Sequence, residues 1–362
     1  MSSSLHEFQH GLYARFAELN GEEIIADYGD ALAEHAALRE TVGVLDLSFR
    51  SRICLVGNDR ARFLHGQVTN DVKKLRAGEG CYSALTTAKG KMESDLNIFA
   101  LADELLLDFE PGLTGKISQR LEKFIVADDV QIVDASPHYG LLSVQGPKAA
   151  DVVSTLGLFA ELPAKPLVSM KISDDTLGEI YLMNHARFGA SGFDLFIPNN
   201  SLGAVMDKLI AAAKVVGGHA VGWTAFETAR IEAGIPRFDA DMDETNIPLE
   251  CGIESRAVSY NKGCYIGQEV INRIHSIGHV TRELRGLWLA DDLKSLPQKH
   301  DKLFHAGKEV GYVTSAVKSP ALSANVALGY VRREVNQVGN ELTLRTAVGE
   351  SSAKIVELPF VK

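Results

Sequence analysis

An α+β body followed by a C-terminal all-β barrel is the fold class predicted by this 362-residue sequence, and three observations predict it. Short β-type apolar runs mix with amphipathic helical spacing through most of the chain, without the regular βαβα rhythm of a wholly parallel sheet. A strand-turn-helix opening occurs at Ile53 and recurs at Leu141. From Arg285 onward only short alternating runs remain, separated by Gly, Pro, Asn and Asp, the pattern of a small closed β structure. The expected division is a body of two intertwined subdomains at 1–280 and a barrel at 281–362.

The elements follow in order. Ile53-Cys54-Leu55-Val56 reads as a strand, Gly57-Asn58-Asp59 as turn and helix cap, and Ala61, Phe63, Leu64 and Val68 fall at helical spacing. Leu96-Asn97-Ile98-Phe99 and Leu105-Leu106-Leu107 are strands flanking a turn at Asp103. A helix from Ser118 then carries Leu121, Phe124 and Ile125 on one face, and Val130–Val133 closes the unit. The second opening is Leu141-Leu142-Ser143-Val144, with Gly146-Pro147 as turn and Val152, Val153 and Leu156 facing inward. Gly57 and Gly146 are thus predicted equivalents in two related halves. Strands at 167–173, 179–184 and 193–197 lead to a helix at 202–216 that Gly217-Gly218 stops. Thr224 and Glu227 fit a capping box for a further helix, which Gly234 and Pro236 end. The barrel strands are centred on Leu287-Trp288-Leu289, Val310–Val313, Val326–Tyr330, Leu342-Thr343-Leu344 and Lys354-Ile355-Val356.

Composition narrows the function classes. With 46% apolar and 23% charged residues the chain is an ordinary soluble globular protein. No apolar run reaches the length of a membrane span, and Met1–Glu7 lacks a signal or transit pattern, so a cytoplasmic address is predicted, or the mitochondrial matrix for a eukaryotic source. A formal charge of −10 excludes non-specific binding to nucleic acid or anionic membrane as the main activity. Cys54, Cys81, Cys251 and Cys264 lie far apart, with no C-x-x-C pair. P-loop, strand-coupled dinucleotide and H-E-x-x-H signatures are absent.

Two clusters carry candidate chemistry. Lys262-Gly263-Cys264-Tyr265-Ile266-Gly267-Gln268-Glu269 is bracketed by glycines that can present Cys264 at a bend, with Lys262 and Arg273 near enough to favour a thiolate. Taken alone, the loop fits better a tight turn around a half-buried small residue. In Ala229–Pro236, Arg230 and Glu232 read first as a solvated or ion-paired helix end. Asp239, Asp241, Asp243 and Glu244 lack the glycine and distal glutamate of a calcium loop and read as a surface turn. His275 and His279, with Gly278 between them and no third ligand, read as loop histidines. Arg256, Lys262, Arg273, Arg282 and Arg285 against Glu269 and Glu283 make this stretch locally basic, fit for an anionic ligand tail or an acidic partner.

Together, Ala229–Pro236, Asp241–Glu250 and the Lys262–Glu269 loop resemble the aminomethyltransferase (glycine-cleavage T-protein) superfamily, and the loop resembles its YgfZ branch of folate-binding proteins. Gly43–Ser48, Val68-Thr69-Asn70-Asp71-Val72 and Lys89-Gly90-Lys91 resemble the family's N-terminal motifs, so the likeness covers nearly the whole chain. It implies a duplicated ferredoxin-like, folate-binding body with a C-terminal barrel, and tetrahydrofolate or a one-carbon derivative as cofactor. It implies Asp194, where the family usually has Glu, as the carboxylate for the pterin edge, and Arg230, Lys262 and Tyr265 as further folate contacts. Cys264 becomes the functional thiol. Lys89–Leu96 keeps only Asp95 of the family's paired aspartates, which leaves Asp95 as a catalytic candidate and counts against glycine-cleavage activity.

The function expected on this footing is a tetrahydrofolate-binding accessory protein for iron-sulfur cluster assembly or repair, with assembly or client proteins as partners and cluster-dependent tRNA modification downstream. Neither DNA binding nor a metal site is expected. The alternative is a folate-dependent aminomethyl- or methyltransferase of the glycine-cleavage type.

Overall fold

The computed structural model describes residues 9–189 and 191–361; the stretch Met1–Glu7, read above for targeting, lies outside them. The chain forms two compact units. The first takes the residues up to Gln67, Asp71–Tyr82 and Leu96–Glu227, and the second takes Val68–Asn70, Ser83–Asp95 and the residues from Thr228 onward.

The first unit opens with a hairpin, β1 (Arg15–Leu19) and β2 (Glu22–Asp27), and a helix, α1 (Ala31–Glu40). The Asp30 carboxylate caps α1 by accepting from the Leu32 and Ala33 amides. Then come β3 (Gly43–Asp46), β4 (Ser51–Val56), α2 (Arg60–Gln67), β5 (Gly80–Thr86), β6 (Met92–Ala100), β7 (Glu104–Phe109), α3 (Thr114–Glu122) and β8 (Gln131–Asp134). Of these, β5 and β6 each run on into residues of the second unit. The sequence pattern resumes with β9 (Tyr139–Gln145), α4 (Ala149–Ser154), β10 (Ser169–Asp174), β11 (Gly178–Asn184), β12 (Gly192–Pro198), α5 (Leu202–Val215) and β13 (His219–Ala220).

Two sheets result, in the orders β5-β6-β7-β4-β8 and β10-β11-β12-β9-β3-β13. The run β6-β7-β4-β8 is the ferredoxin-like order, and β11-β12-β9-β13 repeats it with β3 inserted before the last strand. The duplication is therefore visible in topology. It is also visible at the turns. Gly57 and Gly146 have φ of +105° and +125°, and a Cβ would stand 2.1 Å from the Asp129 carbonyl oxygen at the first and 2.7 Å from that of Thr41 at the second. Each half needs glycine where its first strand turns into its first helix.

Strand alternation then sorts the side chains. Val42, Val44, Leu142, Val144, Phe193, Leu195 and Ile197 pack with Val205, Leu209 and Ala213 into the core. Ser143, Gln145, Asp194 and Phe196 consequently face the opposite side, with Asp194 directly paired to Ser143. In the other sheet Arg52 pairs with Asp108 and Asn97 with Asp108, which puts these three on one face.

In the second unit the six strands β14 (Arg282–Leu289), β15 (Lys302–His305), β16 (Lys308–Ser319), β17 (Ala324–Arg332), β18 (Glu341–Thr346) and β19 (Gly349–Val356) close in the order β14-β17-β16-β15-β18-β19. Leu287, Leu289, Leu303, Val313, Leu342, Leu344 and Ile355 fill the barrel. The predicted barrel is present, with one strand more than the sequence displays. Only Leu303 of β15 carries an inward apolar signal. The unit also holds α7 (Glu254–Ala257), α8 (Gln268–Ile277) and the end of α6 (Trp223–Glu232).

Three local expectations are corrected. The helix expected from Ser118 begins at Thr114 and ends at Glu122, so Phe124 and Ile125 lie past its end, and the Arg120 guanidinium covers the Phe124 ring at 4.3 Å. Asp241, read within a surface turn, is 2% exposed. Of the two readings of Arg230 and Glu232 as a solvated or ion-paired helix end, burial rules out the solvated one, and Arg230 is ion-paired with Asp241.

Candidate functional site

Within the first unit the inward faces of the two sheets carry a chain of buried charges. Asp194 is fully buried, and its oxygens accept from Ser143 Oγ at 2.7 Å, from Arg187 Nη2 at 2.7 Å and from Arg187 Nε at 3.0 and 3.1 Å; His185 Nδ1 lies 2.8 Å away. Arg187 Nη2 reaches on to Asp108 at 3.2 Å, which also accepts from Asn97 at 3.1 Å and Arg50 Nε at 2.8 Å, and Arg50 Nη1 donates to Glu110 at 2.6 Å. Gln145 fixes the turn before Gly192 by donating to Ser143 Oγ and the His185 carbonyl while accepting from the Arg187 amide. Gly192 is required there, since a Cβ would stand 2.1 Å from Gln145 Oε1.

Burial works to raise the Asp194 carboxyl pKa, but Arg187 and His185 outweigh it and hold the group below the usual carboxylate range. Asp108 behaves likewise, with Arg50 and Arg187 outweighing burial. The carboxylate proposed for a pterin edge thus has its lone pairs already engaged. Among the described residues Arg187 Nη1 makes no hydrogen bond.

Within the second unit three separated motifs converge. Lys262 Nζ donates to the carbonyls of Val68 at 2.6 Å and Asn70 at 2.8 Å and stands 4.8 Å over the Tyr265 ring. Thr69 Oγ donates to the Ala257 carbonyl at 2.6 Å, and Thr86 Oγ to the Ile266 carbonyl at 2.7 Å. Gly267, with φ +91°, lies so close to the Thr87 to Gly90 turn that a Cβ would be 2.6 Å from the Thr87 carbonyl oxygen. Cys264 is exposed at the tip of this loop. Tyr265 is buried beneath it, its hydroxyl has no hydrogen-bond partner among the described residues, and burial pushes its pKa up to about 12. Asp95 is half-buried on β6, on the strand face shared by Glu93.

Arg230 stands apart from the Lys262 loop in its bonding. It donates to Asp241, to the Ile235 carbonyl and to Ser315 Oγ, while Thr314 Oγ donates to the other Asp241 oxygen at 2.6 Å. These bonds pin the end of α6 to β16. Of the two histidines read as loop residues, His275 is on α8, 2.7 Å from Glu254 Oε1 and stacked on Tyr260. Sequence reasoning missed Arg187, His185, Asp108 and Arg50, each an ordinary polar residue locally. The period-two placement of Asp108 beside Leu107 and Phe109 is the one signal that would have exposed it. Among the described residues no cluster suited to a metal ion occurs, and no helix is long and apolar enough to cross a membrane.

Residues 5–262 match the family described as the GCVT N-terminal domain, and residues 282–362 match the glycine cleavage T-protein C-terminal barrel domain. The chain is 26% identical over 359 residues to a Listeria monocytogenes protein named aminomethyltransferase, covering 98% of this chain and 97% of that one. It is 28% identical over 352 residues to a Geobacillus protein of the same name, covering 96% and 95%. The fold is that of the glycine cleavage system aminomethyltransferase T from Bartonella henselae, with TM-score 0.89, 24% identity and coverage of 99% and 97%.

These likenesses correct the expected function. The accessory role in iron-sulfur cluster assembly or repair rests on one octapeptide, whereas relatives named aminomethyltransferase match over nearly the full length. The same finding overturns the inference from Lys89–Leu96 that the chain is not a true aminomethyltransferase. The superfamily stands; the YgfZ branch, with its cluster-assembly and tRNA-modification associations, does not.

Proposed function

Because the chain belongs to the glycine-cleavage T-protein family, we propose that it is a tetrahydrofolate-dependent aminomethyltransferase, taking a glycine-derived aminomethyl group from a lipoyl carrier protein. The observation that carries this reading is the presence of both family segments, in order, over 5–262 and 282–362. Tetrahydrofolate is the cofactor that goes with this family.

The residues divide the work as follows. Arg187, aimed by Asp194, offers Nη1 to an oxygen of the folate, and Asp194 is a positioning residue for Arg187 and His185. Asp95 is the carboxylate that stabilises charge developing on the folate nitrogen or the leaving amine. Lys262 and Tyr265 support the loop that presents Cys264. Arg230 holds the segment Ala229–Pro236 in place through Asp241.

The test is turnover with an aminomethyl-loaded lipoyl carrier and tetrahydrofolate, reading methylene-folate and ammonia. Product that requires both partners, and that Asp95→Asn lowers by about 10²-fold or more at unchanged fold, is the expected result. Tight binding of tetrahydrofolate without turnover on any loaded carrier would sink the proposal.

A further inference from the structure

The carboxylate at the centre of the first unit's ion network has no bonding capacity left, but two of the groups it holds do. Asp194 Oδ1 accepts from Ser143 Oγ and Arg187 Nε, and Oδ2 accepts from Arg187 Nε and Nη2 and faces His185 Nδ1. Those contacts fill the roughly four lone-pair sites of a carboxylate. The donor edge of a ligand therefore finds no acceptor on Asp194.

His185 Nδ1 and Arg187 Nη2 lie 2.8 and 2.7 Å from the same Asp194 oxygen, which sets the two side chains beside each other. An ionised carboxylate takes Nδ1–H, so the neutral imidazole keeps its lone pair on Nε2. His185 Nε2 and Arg187 Nη1 have no hydrogen-bond partner among the described residues. Neither atom is sealed in, the two side chains keeping 13% and 6% of their surface open. The backbone beneath them is fixed. The His185 amide donates to the Gly192 carbonyl at 2.9 Å, Gln145 Nε2 donates to the His185 carbonyl at 2.9 Å, and the Arg187 amide donates to Gln145 Oε1 at 3.0 Å. Phe99 meets the His185 ring edge to face at 6.3 Å. One held acceptor thus stands beside one held donor.

We propose that His185 is a specificity-determining residue of the folate site, its Nε2 accepting the pterin N3–H while Arg187 Nη1 donates to the adjacent 4-oxo oxygen. The inference rests on the tetrahydrofolate part of the reading above and deepens it. An N–H beside a carbonyl oxygen is the complement of this acceptor and donor. A 4-amino ring has a lone pair at N3 and N–H groups at position 4, so it sets lone pair against lone pair at His185 and donor against donor at Arg187. Asp194 touches no ligand; it fixes the tautomer of His185 and the aim of Arg187.

The experiment is anaerobic calorimetric titration of the full chain with tetrahydrofolate and with tetrahydroaminopterin, its 4-amino counterpart, beside turnover on the loaded lipoyl carrier. Wild-type protein is expected to bind tetrahydrofolate at least about 10-fold more tightly than the 4-amino compound, a comparison that needs no substitution. His185→Asn keeps an amide donor for Asp194 but has no atom where Nε2 stood. It should weaken tetrahydrofolate binding about 10-fold and abolish the preference, in a protein that still unfolds cooperatively. Equal binding of the two compounds by wild type, or a preference that survives in folded His185→Asn, overturns this inference, and turnover in the same preparation then leaves the aminomethyltransferase reading standing. A preference that His185→Asn removes, without turnover on any carrier, supports the role of His185 and sinks that reading instead. Wild-type protein that binds neither compound overturns both.

Discussion

Replacing Asp194 by Asn keeps its size and deletes its charge at the centre of the first unit's ion network. Arg187 Nη2 would retain Asp108 at 3.2 Å, so the guanidinium is not left wholly unpaired. The 2.7 Å bond to Asp194 and the paired Nε contacts at 3.0 and 3.1 Å lose their ionic character, and the new amide must place a donor against Arg187 or His185, or one against Ser143. Removing one partner from a buried pair typically costs about 3–5 kcal/mol, and the surviving Asp108 contact lowers the expectation to about 2–4 kcal/mol. For a unit of this size that is a fall in Tm of about 6–12 °C.

The pH dependence has a definite sign. The native Asp194 carboxyl is held below its ordinary pKa, so its contribution is complete above the unfolded value of about 4 and is lost as pH falls through the depressed native value. The stability gap between wild type and Asp194→Asn, measured by urea unfolding, should therefore be flat from about pH 8 to 5 and close only below about pH 4. A gap under about 1 kcal/mol, or one that closes between pH 7 and 5, would refute the reading of this network as a desolvated ion cluster whose carboxylates are matched by Arg187 and Arg50.

With a disulfide-exchange reagent under native conditions, exposed Cys264 should react first and half-buried Cys81 more slowly, while Cys54 and Cys251, whose thiols burial pushes up, stay silent until unfolding; Cys264→Ser should delete the fast phase. Gly267→Ala forces a side chain into a positive-φ position against the Thr87 carbonyl and should cost about 1–3 kcal/mol by thermal unfolding, whereas Gly203→Ala, with open space in α5, should be neutral or slightly stabilising. Arg230→Lys keeps the charge but cannot span Asp241, Ile235 and Ser315 together, so a loss of about 2–4 kcal/mol is expected, with the largest loss of hydrogen-exchange protection in β16.

The local pattern of this sequence determined its element types. Alternating apolar runs at Leu141–Val144 and Leu342–Leu344 and helical spacing after Asp59 depend on neighbours within a few residues, so strand and helix could be read without knowing the fold, whereas the close approaches that require glycine at 57 and 146 come from Asp129 and Thr41, far along the chain. The family motifs were legible for the same reason, each being short and contiguous. Their meeting at Lys262 was not, because its acceptors Val68 and Asn70 lie more than 190 residues away. Nor could the charge network be read. Arg50 finds Asp108 across 58 residues and Arg187 finds it across 79, and a charged residue whose partner is distant looks locally like a surface residue. Asp241 was misplaced because its partners Arg230 and Thr314 lie on other elements, Thr314 73 residues away. The sequence determined which residues alternate inward; the tertiary structure alone decided which charges were buried together, and that Arg52 was buried with two of its nitrogens unmet among the described residues, because pairing in a low-dielectric interior depends on strands that only folding brings side by side.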